Sequence, residues 1–267
     1  MTWELILPVV MGLVVGSFVN VLIHRLPRMV MADQTHKDAP TRYDLCAPAS
    51  HCPHCQTPLK AWHKIPVLSY VCLQGRCVFC KHTISPQYPL IELATALIWL
   101  GCTWHWGVNT GGYCWAGFAT VLLALSVIDW QTTLLPDDLT QTLVWSGVIA
   151  SAMGWLSLPL HQSVWGAVIG YASLWSVATA FERFTGKQGM GAGDFKLLAG
   201  LGAWLGPLAL LPVVMLASIS GAAVGIFLKM NKRLSEDGYL PFGPFLAAAG
   251  MSVAVLGIES IALAMGW

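Results

Sequence analysis

Residues 113–130 read YCWAGFATVLLALSVIDW, a stretch that carries no charged side chain before Asp129. About 20 mainly apolar residues are enough for a helix to cross a bilayer, and this stretch is close to that length. The rest of the chain has the same character, because 56% of its 267 residues are hydrophobic and 10% are charged. Since soluble domains carry about 25% charged residues, the composition excludes a soluble protein and predicts an all-α polytopic membrane protein.

Seven further apolar segments accompany this one along the chain. The eight together are residues 3–23, 88–107, 113–130, 138–158, 163–182, 195–206, 208–229 and 243–265. The sixth is short, and its boundary with the seventh lies near Gly206 and Pro207, so a single kinked helix there would give seven spans. The sequence therefore predicts about eight transmembrane helices, the first of them within residues 1–23.

The basic side chains predict the orientation of these helices. Lysine and arginine accumulate on the cytoplasmic side of short membrane loops. With eight spans and the N-terminus outside, all 14 of them fall on or beside cytoplasmic segments, and the outer loops at 108–112, 159–162 and 207 carry none. We therefore expect a periplasmic N-terminus. The first span has no basic residues before it, which favours a retained anchor over a signal peptide.

Two aspartate motifs stand out in this apolar chain. One reads IDWQTTLLPDD over residues 128–138, and the other reads GMGAGDFK over residues 189–196. By the predicted topology, Asp129 closes the third span and Asp194 opens the sixth at the same membrane face. Ionisable groups at the edge of hydrocarbon are costly, so they need a partner, a cavity or a chemical task. Two aspartates brought together share a proton, as in an aspartic protease, which makes Asp129 and Asp194 the predicted catalytic pair.

Each acid in these motifs also has an ordinary structural explanation. Asp137 or Asp138 follows Pro136 and precedes the fourth span, a pattern typical of a helix N-cap. Asp194 could likewise cap the sixth span. Asp129 is harder to explain in this way, because a carboxylate at a helix C-terminus opposes the helix dipole. We therefore interpret Asp137 and Asp138 as supporting residues.

One long polar segment, residues 24–87, separates the first helix from a membrane-embedded peptidase core predicted for residues 88–267. Within it lie two C-x-x-C pairs separated by residues 56–76, formed by Cys52, Cys55, Cys77 and Cys80. Four thiolates at this spacing predict a structural zinc site in a small ribbon-like insert between helices 1 and 2. Metal binding would stabilise a domain too small for a core of its own. Two reduced or redox-active pairs without metal are the alternative.

The other cysteines and histidines are surplus to a four-ligand site. Cys46 and Cys72 are not needed as ligands, and Cys102 and Cys114 lie near the outer side, where a disulfide is permitted. The nearby histidines are expected at the surface: His51, His54, His63 and His82. Residues 29–50 show little periodicity, so we expect them to be irregular. A zinc with four cysteines has no open position, so it should act as a scaffold and not as a catalyst.

These residues also carry a resemblance to a known family. The chain resembles the bacterial type IV prepilin peptidases, also called leader peptidase–methyltransferases. The matching motifs, in chain order, are GSFVNV at 16–21, RLP at 25–27, IPVLSY at 65–70, GRC at 75–77, ISP at 84–86, YPLIEL at 88–93, LPD at 135–137 and GDFK at 193–196. They extend over nearly the whole chain, and the resemblance is weakest in residues 29–50.

The resemblance implies an inner-membrane enzyme of type IV pilus or type II secretion systems. Such an enzyme cleaves the basic leader of prepilins or pseudopilins after a glycine and then methylates the new N-terminal amine with S-adenosylmethionine. The resemblance places the two catalytic aspartates at Asp129 and Asp194. Gly75, Arg76 and Glu92 are the candidate residues for binding the methyl donor. The expected partners are these substrates and the lipid bilayer, with no nucleic acid.

Two other classes of protein remain open. One is a G-x-G-D intramembrane aspartyl protease without methyltransferase activity, of the archaeal preflagellin or presenilin type, which the zinc-ribbon insert disfavours. The other is a non-enzymatic membrane scaffold or transporter with a zinc domain. A transporter should carry a polar pathway at mid-bilayer, and the midplanes of these spans are apolar.

In the peptidase mechanism one aspartate activates water and the other stabilises the oxyanion. Because the pair titrates as a unit, the two roles stay unassigned.

Overall fold

All regular secondary structure in the described part of this computed structural model is helical. The structure describes residues 3–34, 43–187, 189–231 and 240–264. They form α-helices joined by short 3-10 turns, and the two β-bridges among them are isolated. The all-α prediction is therefore confirmed.

The first of two compact units comprises residues 1–120. Its helices are α1 (Ile6–Gln34), α2 (Leu68–Cys72), α3 (Gln87–Trp106) and the first part of α4 (Thr110–Thr132). α1 and α3 pack side by side, and the Asn20 amide of α1 donates to the Tyr88 carbonyl of α3 at 3.0 Å. The Trp99 indole N–H donates to the Thr120 hydroxyl of α4 at 3.1 Å. These hydrogen bonds satisfy buried polar groups and thereby fix the register between the helices.

Helix α1 is longer than the sequence suggested. We expected irregular structure from residue 29, but the helix continues to Gln34, so that part of the expectation is wrong. The reason is local composition, because the two methionines, the alanine and the glutamine in residues 29–34 are strong helix formers. Residues 43–50 are irregular as expected, and residues 35–42 lie outside the described residues.

A small domain of turns, residues 43–86, lies between α1 and α3. Each C-x-x-C pair sits in the same kind of turn. The N–H of Cys52 donates to the Thr57 carbonyl at 3.1 Å, and the N–H of Cys77 donates to the His82 carbonyl at 2.9 Å. The two cysteine turns are thus a structural repeat, although the residues between the cysteines differ.

The second unit comprises residues 121–267. It contains the end of α4 and the helices α5 (Asp137–Ala152), α6 (Leu160–Thr185), α7 (Ala192–Leu205), α8 (Leu210–Met230), α9 (Gly243–Leu256) and α10 (Ile258–Ala264). α7 lies at the centre and contacts α5, α6, α8 and α9. Its side chains are buried around nearly its whole circumference, as expected for a helix that is apolar on all faces.

Helices α6 and α7 touch backbone to backbone. Gly166 and Gly202 face each other, and a Cβ on either would overlap the backbone carbonyl of the other. Next to this contact, the Ser163 hydroxyl donates to the Ala203 carbonyl at 2.7 Å. Small residues and a hydroxyl at the contact allow the close approach typical of membrane helix pairs. This packing holds α7, whose first turn belongs to the candidate active site.

In the described part of the chain, four helices are long and apolar enough to cross a membrane: Ile6–Ala32, Thr110–Thr132, Leu160–Thr185 and Pro207–Met230. All eight predicted apolar segments coincide with helices, the last being interrupted at Gly257. However, α5 has 16 residues and α7 has 14. They are about 24 and 21 Å long, which is less than a hydrocarbon layer of about 30 Å. The helices fit a membrane protein, and the count of eight spans stays a prediction.

Candidate active site

Asp129 lies in the last turn of α4 and is only 4% exposed. The backbone N–H of Gly243 donates to its Oδ2 at 2.9 Å. α4 ends three residues later, where Thr133 has a φ of 54° and its N–H donates to the Asp129 carbonyl at 2.8 Å. The carboxyl group is therefore buried and is oriented by a backbone donor from α9, a distant part of the sequence.

Asp194 is the third residue of α7 and is also 4% exposed. It does not cap the helix, because the N-cap is Gly191 and no side chain caps it, so the capping alternative is wrong. Within the described residues its buried Oδ1 accepts no hydrogen bond. The Asp129 and Asp194 carboxyl groups interact electrostatically. The second unit thus brings the two predicted aspartates together in one buried site, as an acid–base pair requires.

Gly243 closes this site beside Asp129. A Cβ at Gly243 would lie 2.6 Å from Asp129 Oδ2 and 3.3 Å from Leu135 Cδ2. Leu135 also packs on Gly193, where a Cβ would lie 2.6 Å from Leu135 Cβ. Gly243 was not among the residues predicted from the sequence. The available signal was the run PFGP at 241–244, a glycine between prolines at the start of an apolar segment.

Asp137 and Asp138 do not cap α5, so the N-cap interpretation is wrong. The N-cap is Pro136 without a side-chain cap, and both acids lie in the first turn, where they favour the helix dipole. The Asp137 carboxylate instead pairs with Lys196 of α7, with an Oδ1–Nζ distance of 2.6 Å. The Asp137 side chain is 66% exposed and that of Lys196 is 25% exposed, so solvent screens the pair and it is worth on the order of 1 kcal/mol. It nevertheless joins the first turn of α5 to the turn that carries Asp194.

The four predicted metal ligands form a cluster in the first unit. Their Sγ atoms all lie within 4.8 Å of one another, and Cys52 and Cys80 are 3.9 Å apart. A tetrahedral zinc with Zn–S bonds of about 2.3 Å separates its sulfurs by about 3.8 Å, so the cluster fits this metal. Backbone N–H groups of Cys80 and Phe79 lower the pKa of Cys77. The Thr57 hydroxyl lowers the pKa of Cys55 to about 6, and a thiolate is the form that binds metal.

The surplus cysteines and the nearby histidines are not members of this cluster. Cys46 and Cys72 are exposed, while Cys102 is buried and is, like Cys114, a free thiol. The exposed rings of His54 and His82 stack with their centroids 4.3 Å apart. The other two histidines, His51 and His63, are half-buried.

A cavity of about 490 Å³ lies within the first unit, between α1, the cysteine turns and α3. Glu92 lines it with only 8% of its surface exposed, and its Oε2 accepts the N–H of Val67 at 2.7 Å. Gly75 and Arg76 do not belong to the lining. A Cβ at Gly75 would lie 2.9 Å from the hydroxyl oxygen of Tyr70, which is a lining residue. Of the three candidates for the methyl donor, Glu92 alone reaches the cavity wall.

Two family models match consecutive parts of the chain. The model described as the bacterial peptidase A24 N-terminal domain matches residues 10–106, which contain the cysteine cluster. The model described as the type IV leader peptidase family matches residues 116–226, which contain Asp129 and Asp194. Both aspartates therefore lie in the part of the chain that resembles the peptidase family.

The chain is also similar to curated proteins over most of its length. It is 44% identical to a protein of Burkholderia pseudomallei strain K96243 over 266 residues, or 95% of this chain and 86% of that protein. It is 43% identical to a protein of Pseudomonas putida over 263 residues, or 95% and 91% of the two chains. For a protein of Aeromonas salmonicida strain A449, the identity is 43% over 262 residues, or 94% and 89%. Each is named prepilin leader peptidase/N-methyltransferase. No solved structure matches the chain significantly.

Proposed function

This chain belongs to the type IV leader peptidase family, and we propose that it cleaves the basic leader from prepilins or pseudopilins and methylates the new N-terminal amine. The observation that carries the cleavage half is the buried pair of Asp129 and Asp194. Their carboxyl groups interact, one is held by a backbone N–H, and the other has an oxygen without a donor in the described residues. A buried pair of interacting carboxyl groups is costly as structure, and Asp129 at a helix C-terminus also opposes the helix dipole, so the pair fits acid–base chemistry.

The cleavage chemistry follows from two carboxyl groups that share one proton. The ionised partner takes a proton from a water molecule, and the water oxygen attacks the carbonyl carbon of the scissile bond. The protonated partner donates a hydrogen bond to the oxygen that becomes negative. The C–N bond then breaks, and the pair returns a proton to the leaving amine. One water is consumed, and one carboxyl group and one amine are formed.

The surroundings of the pair fit this chemistry. Because the N–H of Gly243 holds Oδ2 of Asp129 at 2.9 Å, that carboxyl group is restrained in one orientation. A carboxyl group that is already restrained loses little further conformational entropy when it contacts the reacting atoms. Leu135 packs against both Gly193 and Gly243 and so fixes the start of α7 relative to the start of α9.

The methylation half needs S-adenosylmethionine, which supplies an electrophilic methyl group. The new N-terminal amine must first be a free base. Its nitrogen forms a bond to the methyl carbon while the methyl–sulfur bond breaks and the sulfur keeps the electron pair. The product is a secondary ammonium and a neutral thioether, so charge is conserved.

We assign zinc to the four clustered thiols, in a closed structural site. All four positions around the metal would be filled by Cys52, Cys55, Cys77 and Cys80, so the metal would join the two cysteine turns and take no part in the reaction. The spacing of the four thiols supports this assignment. Bound zinc would stabilise residues 43–86, which have few buried apolar side chains.

We further propose that the protein lies in the bacterial inner membrane with its N-terminus in the periplasm. In this arrangement residues 1–23 are the first span, residues 24–87 are the cytoplasmic zinc domain, and residues 88–267 are the peptidase core with about eight spans in all. The distribution of lysine and arginine supports this orientation. The basic leader of the substrate would also lie in the cytoplasm, next to the aspartates.

The test is cleavage of a prepilin by the purified chain in detergent, followed as a gel shift. Asp129→Asn and Asp194→Asn should each abolish cleavage. Asp138→Asn is the matched control, because this acid is exposed in the first turn of α5 and should leave cleavage unchanged. Full processing by either of the first two variants would show that the pair is not catalytic.

The mass of the mature pilin distinguishes this function from a protease without methyltransferase activity. Product made with S-adenosylmethionine should be heavier by one methyl group than product made without it. Equal masses would exclude methylation by this chain, and the cleavage proposal would be unaffected.

A further inference from the structure

A patch of exposed apolar side chains lies on the domain of turns. Its members are 44–65% exposed, and together they form what we call the Trp62 patch: Trp62, Ile65, Leu68, Val71 and Phe79. The 3-10 turn Ala61–Lys64, which carries Trp62, packs against α2. Leu68 and Val71 are three residues apart in α2 and so share one face of it. An exposed apolar patch of this kind marks an interaction site.

Ring contacts link two separate segments of the patch. The His63 ring lies edge-on to both the Trp62 ring and the Phe79 ring, with a centroid distance of 6.0 Å in each case. Phe79 belongs to the second cysteine turn, whereas Trp62 precedes α2. The patch is therefore one surface of the folded domain and not a set of scattered side chains.

A hydrogen bond fixes the height of the patch relative to α3. The backbone N–H of Val67, the residue before α2, donates to Oε2 of Glu92 at 2.7 Å. Glu92 is the fifth residue of the predicted span 88–107, so it lies about 6 Å inside the start of that span at 1.5 Å per residue. The start of α2 therefore lies near the predicted boundary between hydrocarbon and headgroups.

On its other side the patch is continuous with the apolar surface of α1. Ile65 lines a groove together with Val14 and Phe18 of α1. Both α1 residues belong to the predicted first span, residues 3–23, and they are 60% and 51% exposed. With the first span in lipid, the groove and the patch beside it border the same lipid.

Positive charge surrounds the patch. Residues 43–86 contain four basic residues and one acidic residue. Lys60 lies over the Trp62 ring, with its Nζ 5.3 Å from the ring centroid. Two further exposed lysines adjoin the patch in the sequence: Lys64 and Lys81. Tryptophan and other apolar side chains flanked by lysines are typical of segments that lie at the membrane interface and bind anionic lipids.

We propose that the Trp62 patch lies in the headgroup layer of the membrane and binds anionic phospholipid. This inference goes beyond the proposed reaction and rests only on the proposed placement of the chain in the bacterial inner membrane. The apolar side chains would exchange contact with water for contact with acyl chains, and the lysines would bind phosphate groups. Each lysine near an anionic membrane surface strengthens binding about fivefold. The domain of turns would thereby be held against the leaflet.

The charge and the position of the patch favour lipid over other occupants. The substrate leader is basic, so the lysines would repel it. A second copy of the patch would bring like charges together, which weakens association. An acidic protein would match the charge, but the contacts with α1 and α3 place the patch where lipid is already present.

The location is tested by photo-cross-linking of the full-length chain in nanodiscs made of an equimolar mixture of phosphatidylcholine and phosphatidylglycerol. The photoreactive residue p-benzoylphenylalanine replaces Leu68 or Phe79 and, as the matched control, His54. His54 is exposed and is the third residue of its C-x-x-C pair, as Phe79 is of the other pair. Adducts are identified by mass spectrometry of the intact chain.

We expect phospholipid adducts at Leu68 and Phe79 and few at His54. Phosphatidylglycerol adducts should outnumber phosphatidylcholine adducts about fivefold or more. Adducts no more abundant at Leu68 and Phe79 than at His54 would overturn the inference. A covalent dimer in place of lipid adducts would show a second copy at the patch and would also overturn it. So would an acidic protein cross-linked in place of lipid when the irradiation is repeated in inner-membrane vesicles.

The lysines are tested by combining Lys60→Gln, Lys64→Gln and Lys81→Gln in the chain that carries the cross-linker at Leu68. The preference for phosphatidylglycerol should disappear, whereas Lys187→Gln, at an exposed lysine of the other unit, should keep it. Thermal unfolding in the same nanodiscs monitors the fold. If the triple variant does not fold, salt decides, because screening should abolish the preference of the wild-type lysines. A preference that survives in the folded triple variant, or at high salt, would contradict the inference.

Cleavage of prepilin by the same preparations keeps this inference distinguishable from the proposed function. Lipid adducts at the patch of a chain that neither cleaves nor methylates would support the inference and contradict the proposed function. Normal cleavage by a chain without lipid adducts at the patch would overturn the inference alone.

Discussion

Gly243→Ala should greatly slow cleavage while leaving the fold nearly unchanged. The added Cβ would lie 2.6 Å from Asp129 Oδ2. Carbon–oxygen contacts ordinarily need about 3.3–3.6 Å, so the carboxyl oxygen must move by roughly 0.7 Å or more. The atom that must move is the far end of a side chain and not the backbone. The fold can therefore adapt, but only by displacing a proposed catalytic group.

The size of the effect follows from this displacement. Movement of Oδ2 would also lengthen its hydrogen bond to the Gly243 N–H, now 2.9 Å. A misplacement of about 1 Å in an active site can cost about 100-fold in rate. We therefore expect kcat to fall about 10- to 100-fold, or about 1.4–2.7 kcal/mol of transition-state stabilisation. KM should change little, because substrate binding does not depend on this oxygen.

The assay measures kcat and KM with a prepilin substrate and thermal unfolding in the same detergent. Gly221→Ala is the matched control, because its Cβ would make an ordinary 3.5 Å contact with Phe245 Cδ2. It should keep wild-type kcat. A folded Gly243→Ala enzyme with wild-type kcat would refute the positioning role. If activity falls only in proportion to the fraction of unfolded protein, Gly243 has a structural role and does not position Asp129.

Three further predictions follow from the packing, the cysteine cluster and the ion pair. Gly166→Ala should destabilise the protein by about 1–3 kcal/mol, because the new Cβ would overlap the Gly202 backbone, which cannot move aside. An unchanged thermal unfolding temperature would contradict this. Elemental analysis should detect bound zinc in the wild type and none in Cys52→Ser, whereas Cys46→Ser, at an exposed cysteine outside the cluster, should keep its zinc. Equal zinc contents in the two variants would exclude the four-thiol site. Lys196→Met should lower kcat/KM less than about fivefold, since a pair that solvent reaches through Asp137 is worth on the order of 1 kcal/mol. A loss comparable with that of the aspartate variants would show a direct catalytic role.

The helices and the two clusters of chemical groups were predictable because their signals are local. Apolar runs of about 20 residues predict helices, and paired C-x-x-C motifs predict one cluster of thiols. The Asp129 and Asp194 motifs were visible because charge is rare in this chain. Their shared depth in the membrane is a prediction from the topology.

The remaining features depend on contacts between distant residues, which no local pattern reveals. Gly243 donates to Asp129 across 114 positions of the chain, and Asp137 pairs with Lys196 across 59. The N-cap interpretation was wrong because the sequence favoured the acids after Pro136, while the structure uses Pro136 itself as the cap.

The most direct test of the central claim is kcat/KM for prepilin cleavage by Asp129→Asn, Asp194→Asn and the double variant. If the two carboxyl groups share one proton and act as a unit, each single change should cost on the order of 10³-fold or more, and the double variant should be no worse than the poorer single one. Losses that multiply in the double variant would show two independent groups. Substantial activity in either single variant would contradict the aspartate-pair mechanism.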